Sequence, residues 1–205
     1  MKAEQNRITK RQALIKSALD EFSIKKYEEA SLNTILANAG VTKGAFYYSF
    51  KDKMDLYTQI LKQISEEKAE YFAKNSGTEG FVQPDEMTLF EFMKSLTRLG
   101  FGFIVKHPKY YEFGTRFSEE REEFRSAVIG SEGLNANAYL APMVKKALDN
   151  GDIDPMFSPE FAERVLSYMM THYIDIIGYN PNGDLEDTAE NMRIFFTFLE
   201  RGLGK

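Results

Sequence analysis

The chain has 205 residues, of which 43% are hydrophobic and 28% charged, and its formal net charge is −5. This length can bury a core, and the composition is that of a globular protein. The absence of cysteine excludes disulfides, thiolate metal sites and a cysteine nucleophile. The polar start, MKAEQNRITKRQ, has no apolar region of a signal peptide, and no run of about 18 apolar residues predicts a membrane span. A cytoplasmic protein without membrane contact is therefore expected.

Charge is unevenly distributed along the chain. Residues 1–53 contain ten basic and six acidic residues, for a net charge of +4, whereas the remainder has a net charge of −9. A basic segment ahead of an acidic remainder indicates a local site for a polyanion. The negative charge of the whole chain argues against a nucleic-acid-binding protein, so this indication depends on the motifs within the basic segment.

Helical periodicity runs through the chain, and no window shows the sustained alternation of a strand, so the sequence predicts an all-α fold. Four helices are expected in about the first third of the chain. Ser31 is suited to cap the second helix, Gly40 to end it, and Asp52 with Asp55 to cap the fourth. The apolar stripes of the first two helices are Ile8, Ile15, Ala18, Leu19 and Phe22, and then Leu32, Ile35, Leu36 and Ala39.

The remaining sequence predicts a larger helical body after a linker. The linker, residues 75–86, is rich in glycine, proline and polar residues. Five helical segments follow, with starts expected at Thr88 (a capping box with Glu91), Pro108, Glu119, Ser158 and Leu185. The third should extend to residue 149 with a bend near Gly130 and Gly133, the fourth to Ile177 and the fifth to Leu203.

The segment AGVTKGAFYYSFKDK, residues 39–53, combines small, phenolic and cationic residues. Only Gly40, Val41 and Thr42 connect the second and third helices, and a glycine-containing turn of this length forces the sharp crossing of a helix-turn-helix motif. Thr42 is suited to cap the third helix. The motif is expected at about residues 31–50.

The third helix has two different faces on a helical wheel. Phe46 and Phe50 lie four residues apart and should anchor it to the first two helices. The opposite side and its edges carry Lys43, Gly44, Ala45, Tyr47 and Tyr48. Small residues let a helix lie close to base edges in the major groove, while phenol hydroxyls and ammonium groups can contact phosphates. Taken without its surroundings, such an aromatic pair is also typical of the solvated edge of a core.

Two further lysines lie at the start of the fourth helix. Next to Lys51 and Lys53, the N–H groups and positive dipole end of that helix also favour phosphate.

The whole pattern of residues 8–57 resembles the TetR family, the tetracycline-repressor-like transcriptional regulators. The matching residues are Phe22, Tyr27, Ser31, Leu32, Ile35 and the run AGVTKGAFYYSFKDKMDLY. The resemblance in sequence covers about residues 8–57. One departure is Leu36, where the family usually has alanine. The rest of the chain resembles the family only in its all-helical architecture.

The resemblance implies a sequence-specific DNA-binding transcriptional regulator, a repressor released from its operator by a small-molecule effector. It implies a homodimer that places each third helix in a major groove of a near-palindromic double-stranded operator, with half-sites about 34–36 Å apart or somewhat more. Residues 1–53 would form the DNA-binding head, and residues 54–205 the effector-binding and dimerisation domain. The residues implied in DNA binding are Ser31, Thr42, Lys43, Gly44, Ala45, Tyr47, Tyr48 and Lys53.

Two late helices carry more apolar surface than one core-facing stripe. Apolar residues nearly encircle the helix from Phe161 to Ile177, and the last helix has a second apolar face at Phe195 and Phe198. The same helix pair of a second subunit would bury these faces, although a central position in a monomer would do so too. The resemblance also implies a homodimer through the last two helices.

Aromatic residues and glycines are frequent in the middle helices, where glycine leaves room and aromatic walls suit a flat or apolar ligand. In the family the helical body holds an effector pocket, but a plain hydrophobic core would have the same composition. The candidate pocket residues are Phe103, Tyr110, Phe117, Tyr139, Met143, Tyr168, Met169 and His172. For His172, a hydrogen bond in the core or in an interface is the alternative.

The reactive residues do not favour an enzyme, a cofactor or a metal site. The two histidines are 65 positions apart, GFGF lacks the third glycine of a phosphate loop, and DNGDIDP and NPNGDLED lack the pattern of a calcium loop. Two alternatives to a regulator stay open. One is a helical adaptor whose basic head binds an acidic protein, and the other is an enzyme or small-molecule carrier that does not affect DNA binding. Activation instead of repression stays open as well.

Overall fold

The computed structural model describes residues 2–76, 83–132, 137–180 and 184–205. Within these ranges the regular structure is helical, apart from one isolated antiparallel bridge between Ile153 and Gly204. The predicted all-α fold is therefore confirmed. None of the helices in these ranges is both long enough and apolar enough to cross a lipid bilayer.

Eleven helices are present in the described ranges, and most of them begin where capping residues predict. They are α1 (Lys2–Ile24), α2 (Leu32–Ala39), α3 (Lys43–Ser49), α4 (Lys53–Asn75), α5 (Leu89–Lys106), α6 (Pro108–Ser118), α7 (Glu122–Glu132), α8 (Asn137–Asn150), α9 (Pro159–Thr171), α10 (Tyr173–Ile176) and α11 (Leu185–Leu203). The capping box of α5 is confirmed, because the Thr88 N–H donates to Glu91 Oε2 over 2.9 Å. The Ser158 hydroxyl likewise accepts the N–H of Phe161 at the start of α9.

Two predicted long helices can be compared with the structure. The segment predicted at residues 119–149 contains α7, which begins at Glu122, and α8. Residues 133–136 between these helices, including Gly133, lie outside the described residues, as does half of the predicted linker, residues 77–82. The predicted helix to Ile177 ends at Thr171, because His172 leaves helical geometry with φ −103° and ψ 9°. Apolar periodicity shows which side of a segment is buried, and one residue with different dihedral angles hardly changes that pattern.

The chain forms two compact units. The first unit comprises residues 1–70 and 106–134, and the second unit comprises residues 71–105 and 135–205. The predicted DNA-binding head therefore lies within a larger unit that also contains α6 and α7. Compactness does not test which residues bind DNA or an effector, so the functional border at residue 53 stays a prediction.

Aromatic rings form much of the core of the first unit. The rings of Phe22 in α1 and Tyr57 in α4 meet edge to face, with centroids 4.8 Å apart. Phe113 of α6 lies 5.1 Å from Tyr57, and Phe124 of α7 lies 5.6 Å from it. Burial raises the pKa of the Tyr57 phenol, which keeps this ring neutral in the core. The helices of the basic segment thus share one core with α6 and α7.

The second unit packs α5, α8, α9 and α11 around an apolar core. Its buried members are Leu89, Phe90, Met93, Val144, Ala147, Ile153, Ala162, Leu166, Ile177, Met192, Phe195, Phe196, Leu199 and Leu203. Phe195 is in this core, so its predicted position on a second apolar face of the last helix is wrong. That face instead carries Ile194 and Phe198, whose side chains are exposed.

Candidate nucleic-acid interface

Capping residues fix the turn between α2 and α3. The Ser31 hydroxyl accepts a hydrogen bond from the N–H of Thr34, and the Thr42 hydroxyl accepts one from the N–H of Ala45. The donor–acceptor distance is 3.3 Å in each bond. Gly40 ends α2 with a φ of 63°, in the left-handed region that favours glycine. The predicted caps and the predicted helix stop are therefore confirmed, and they define the helix-turn-helix segment.

Two phenylalanines anchor α3 to the core of the first unit. Phe46 is fully buried, Phe50 is 2% exposed, and their ring centroids are 5.7 Å apart. Both belong to the buried cluster that includes Leu14 of α1 and Ile35 of α2. The predicted anchor is confirmed, and it determines which side of α3 faces solvent.

The opposite side of α3 is exposed. Tyr48 is 75% exposed and Tyr47 is 53% exposed. Lys43, Gly44 and the preceding Thr42 are exposed too, and Ala45 is half-buried at the edge. Apart from the backbone of α3 and the neighbouring residues, no described atom lies within 4 Å of the place that a Cβ on Gly44 would occupy.

This surface has the shape and chemistry for a close approach to a polyanion. In the first turn of α3, Gly44 and Ala45 are small residues, and the phenols of Tyr47 and Tyr48 follow within about one helical turn. The Tyr47 ring meets the buried Phe46 ring edge to face, with centroids 5.1 Å apart, so its position is restrained. Phenol and ammonium groups can donate hydrogen bonds to phosphate, while a small helix start permits contact with base edges.

Carboxylates cap the start of α4. Asp52 Oδ1 accepts the N–H of Asp55, and Asp55 Oδ2 accepts the N–H of Lys51, both over 2.8 Å. The predicted cap is confirmed, but it places two negative charges where the sequence also suggested a phosphate. These carboxylates already accept hydrogen bonds from two N–H groups, and their negative charge balances the positive end of the helix dipole. The start of α4 therefore does not by itself favour a further anion.

Lys53 makes contacts within the first unit. Its ammonium donates to the carbonyl oxygens of Tyr27 and Ala30 over 2.6 and 2.9 Å, and it lies 4.3 Å from the centroid of the Tyr27 ring. The sequence suggested only a phosphate contact for this residue. An ammonium group has three donors, so a phosphate contact through the third is compatible with these bonds and stays a prediction.

Two carboxylates bind the same connection between α1 and α2. Glu21 Oε1 accepts from the Lys25 ammonium and from the Ser31 N–H, and the bond to Lys25 holds the pKa of Glu21 below its usual range. Glu120 Oε1 accepts the N–H of Tyr27 over 2.5 Å. Sequence reasoning missed both roles. An acid at a buried position of the α1 stripe could have indicated Glu21, whereas no local signal pairs residues 27 and 120.

We expect Lys53→Met to lower the free energy of unfolding by about 1–3 kcal/mol, because two carbonyls lose a charged donor. Its exposed neighbour provides the control, and Lys51→Met should change that free energy by less than about 0.5 kcal/mol. Urea unfolding measures both values. Equal stability of the two variants would contradict a structural role for Lys53, and a salt slope of operator binding reduced by about one in Lys53→Met would show a phosphate contact as well.

The structure does not gather the candidate pocket residues in one unit. Tyr110 and Phe117 belong to the first unit, and the others belong to the second. Phe103 is buried beside Tyr71, with ring centroids 5.6 Å apart. Met143 and Met169 pack against the core of the second unit, whereas Tyr168 is exposed and its ring lies 4.5 Å from that of His172. The Tyr139 side chain lies outside the described residues, and ligand contact by this set stays a prediction.

Tyr110 lines a cavity of the first unit between α1, α4 and α6. The cavity measures about 240 Å³, and its other lining residues are Gln12, Ile15, Lys16, Leu19, Ile60, Gln63 and Ile64. The Tyr110 hydroxyl donates to Glu67 Oε2 over 2.7 Å, and burial together with this carboxylate raises the pKa of Tyr110 to about 12. The phenol is therefore a neutral hydrogen-bond donor at physiological pH.

The sequence that builds the α3 surface is similar to known regulatory proteins. Residues 14–60 match the family described as "Bacterial regulatory proteins, tetR family". The HTH-type transcriptional regulator AcrR of Shigella flexneri is 40% identical over 80 residues, which are 37% of this chain and 37% of AcrR. In that alignment the chain spans little more than a third of the relative's length.

A weaker similarity extends over most of the chain. The biofilm operon icaADBC HTH-type negative transcriptional regulator IcaR of Staphylococcus aureus (strain Newman) is 22% identical over 181 residues, which are 88% of this chain and 91% of IcaR.

Solved structures share the fold over most of the chain. A TetR family transcriptional regulator from Chloroflexus aurantiacus J-10-fl has a TM-score of 0.67 at 24% identity, covering 96% of this chain and 94% of that one. NalD, the secondary repressor of the MexAB-OprM multidrug efflux pump in Pseudomonas aeruginosa, has a TM-score of 0.66 at 20% identity, covering 96% and 98%. At these identities the likeness concerns the fold.

Proposed function

Because the chain belongs to the TetR family of bacterial regulatory proteins, we propose that it is a sequence-specific DNA-binding transcriptional regulator that acts as a repressor. The single observation that best supports this function is the exposed side of α3. Its small start and two exposed phenols lie opposite the buried Phe46 and Phe50. The residues proposed to contact DNA are Ser31, Thr42, Lys43, Gly44, Ala45, Tyr47, Tyr48 and Lys53.

The proposed operator is a near-palindromic duplex bound by a homodimer. Each α3 would enter a major groove, with half-sites about 34–36 Å apart or somewhat more. Among the relatives, IcaR is named a negative transcriptional regulator and NalD a repressor, which favours repression over activation for this chain. The proposed site of action is the cytoplasm, where the chromosome of a bacterium is accessible.

A small-molecule effector is proposed to release the operator. α4 begins in the first unit, and its last residues belong to the second, so one continuous helix contains residues of both. An effector bound by the second unit would shift α4 and change the distance between the two α3 helices of the dimer. A coupling free energy of about 1–3 kcal/mol would lower operator affinity about 5- to 150-fold.

The proposed dimer uses the last long helices. On α9, Phe161 and Tyr168 are 43% and 65% exposed, and they lie seven residues apart on one side of the helix. On α11, Ile194 and Phe198 lie four residues apart and are 52% and 63% exposed. Exposed aromatic side chains at helical spacing favour an interface between two copies of this helix pair.

We expect Phe198→Glu to weaken dimerisation by about 2 kcal/mol or more, because a charge would replace an aromatic residue of the proposed interface. Folding should be unaffected, since the residue is exposed. The matched control is Ile24→Glu, at an exposed apolar position of α1. Sedimentation velocity over a range of protein concentrations measures the result. Identical dimer dissociation of Phe198→Glu and wild type would exclude this residue from the interface.

Affinity selection of genomic fragments from the source organism tests the proposed function. Wild-type protein should enrich a small set of fragments with a shared near-palindromic sequence, and the Tyr47→Ala/Tyr48→Ala double variant should not. If an adaptor were the correct description, no sequence would be enriched. A carrier or an enzyme would bind or convert a metabolite with no change in affinity for any enriched fragment.

A further inference from the structure

A cavity of the second unit combines an apolar floor with a cationic rim. It lies between α5 and α11 and measures about 330 Å³. We call its apolar lining residues, Phe101, Ala189, Met192 and Phe196, the floor, and its cationic lining residues, Lys94, Arg98 and Arg193, the rim. None of these residues was predicted to line a pocket. The volume is at the lower end of the range of about 300–1,000 Å³ that small-molecule sites occupy.

Helical spacing aligns these residues along the cavity. On α5, Lys94, Arg98 and Phe101 are separated by four and three residues, so they share one side of the helix. On α11, Ala189, Met192 and Phe196 are separated by three and four residues, so they also share one side of the helix. Met192 and Phe196 belong to the core of the second unit, so the floor is part of a packed and stable surface.

The rim carries an excess of positive charge. Lys94 and Arg98 are exposed side chains of α5. Arg193 is held by a bidentate pair with Glu190, with Nε and Nη2 at 2.8 and 2.6 Å from the two carboxylate oxygens. The nearest acid on α5 is Glu91, one turn before Lys94, and its carboxylate is bound by the N–H and the hydroxyl of Thr88. Lys94 also interacts electrostatically with Glu91, and Arg193 is paired with Glu190, so the three rim cations exceed these two carboxylates by one positive charge.

We propose that this cavity binds a small amphipathic anion, whose apolar body lies on Phe101, Met192 and Phe196 and whose carboxylate lies between Lys94 and Arg98. An inorganic anion would leave the apolar floor in water, and a neutral apolar molecule would gain nothing from the cations. Long cationic side chains can cover an apolar body with their methylene groups while their charges stay in water. In naming the chemical class of the effector, this inference rests on the regulatory function proposed above.

Direct binding to the full-length protein tests the chemical class. The probes are decanoate, decanol and inorganic phosphate, measured by isothermal titration calorimetry at low and at high ionic strength. Decanoate should bind at least about tenfold more tightly than decanol at low ionic strength, and salt should reduce this advantage by screening the rim charges. Phosphate should not bind measurably. Equal binding of decanoate and decanol, or binding of phosphate alone, would overturn the proposal.

Two pairs of variants test the location. Ala189→Leu places a larger side chain in the cavity at an exposed helix position, and it should abolish decanoate binding, whereas the control Ala141→Leu at an exposed position of α8 should not. Arg98→Gln should weaken decanoate binding about three- to fivefold, as expected for an exposed ion pair, and leave decanol binding unchanged. Lys145→Gln, an exposed lysine outside the cavity, is its control. Unchanged decanoate binding in Ala189→Leu and Arg98→Gln would place the ligand elsewhere and overturn the proposal.

Operator titrations separate this inference from the proposed function. Decanoate should lower operator affinity of the wild type about fivefold or more, and it should have no effect on Ala189→Leu. If decanoate binds in the cavity but no operator can be isolated, the regulatory function fails and the ligand site stands. If an operator is bound but decanoate does not bind the protein, the ligand site fails and the regulatory function stands.

Discussion

We expect the Gly44→Glu protein to fold normally and to lose operator binding. Gly44 lies in the first turn of α3, is exposed, and has space where a side chain would begin. Replacing glycine within a helix should raise the free energy of unfolding by about 0.5–1 kcal/mol. In the complex, the new carboxylate would meet the phosphates and base edges, and like-charge contact of this kind costs several kcal/mol. Operator affinity should therefore fall about 100-fold or more.

A matched glycine provides the control for this variant. Gly114 of α6 lies in the same unit, is exposed, and also has no described atom within 4 Å of a Cβ position. Gly114→Glu makes the same chemical change, so it should raise stability similarly and leave operator affinity within about twofold of wild type, a difference of less than about 0.5 kcal/mol. Urea unfolding and fluorescence anisotropy with the selected operator measure the two effects. Equal operator affinity of the two variants would show that α3 does not contact the DNA.

Phe46→Ala should have the largest effect on stability among the α3 residues. The Phe46 side chain is fully buried in the cluster that α3 forms with α1 and α2. Truncating such a residue to alanine lowers the free energy of unfolding by about 3–5 kcal/mol. A domain of ordinary stability would be largely unfolded by this change at elevated temperature. Operator binding should be lost as a consequence, because α3 would no longer be held against the core.

Tyr48→Ala, two residues further along the same helix, is the contrasting variant. This side chain is 75% exposed, so its removal should change the free energy of unfolding by less than about 0.5 kcal/mol. Losing a phosphate contact should still weaken operator binding by about 1 kcal/mol, whatever the sequence of the DNA. Urea unfolding and anisotropy again measure both quantities. A loss of less than about 1 kcal/mol of stability in Phe46→Ala would show that α3 is not anchored as described.

The features of the interface that sequence predicts are those fixed by interactions within one or two helical turns. Ser31, Thr42 and Asp52 cap helices through bonds that reach three residues along the chain. The burial of Phe46 and Phe50 follows from their spacing of four residues. Such contacts depend only on neighbours in sequence, so a pattern of residue types is sufficient to predict them.

Contacts between distant residues could not be predicted in this way. The bond from the Tyr27 N–H to Glu120 joins residues 93 positions apart, and nothing in the sequence pairs them. Phe113 and Phe124 form the core around Tyr57, although periodicity shows only that α6 and α7 each have a buried side. For the same reason, the spacing of Phe195 in α11 did not reveal whether it faces the core or solvent. The buried side of a helix can be predicted locally, but the partner that covers it depends on the whole fold.

Hydroxyl-radical footprinting on a selected genomic fragment tests most directly whether α3 reads DNA in a dimer. Wild-type protein should protect two patches on one face of the duplex, centred about 10 base pairs or somewhat more apart, and Gly44→Glu should protect neither at the same concentration. Gly114→Glu should give the wild-type pattern. A single patch, or two patches that persist in Gly44→Glu, would contradict the assignment of the exposed side of α3 as the DNA-binding surface.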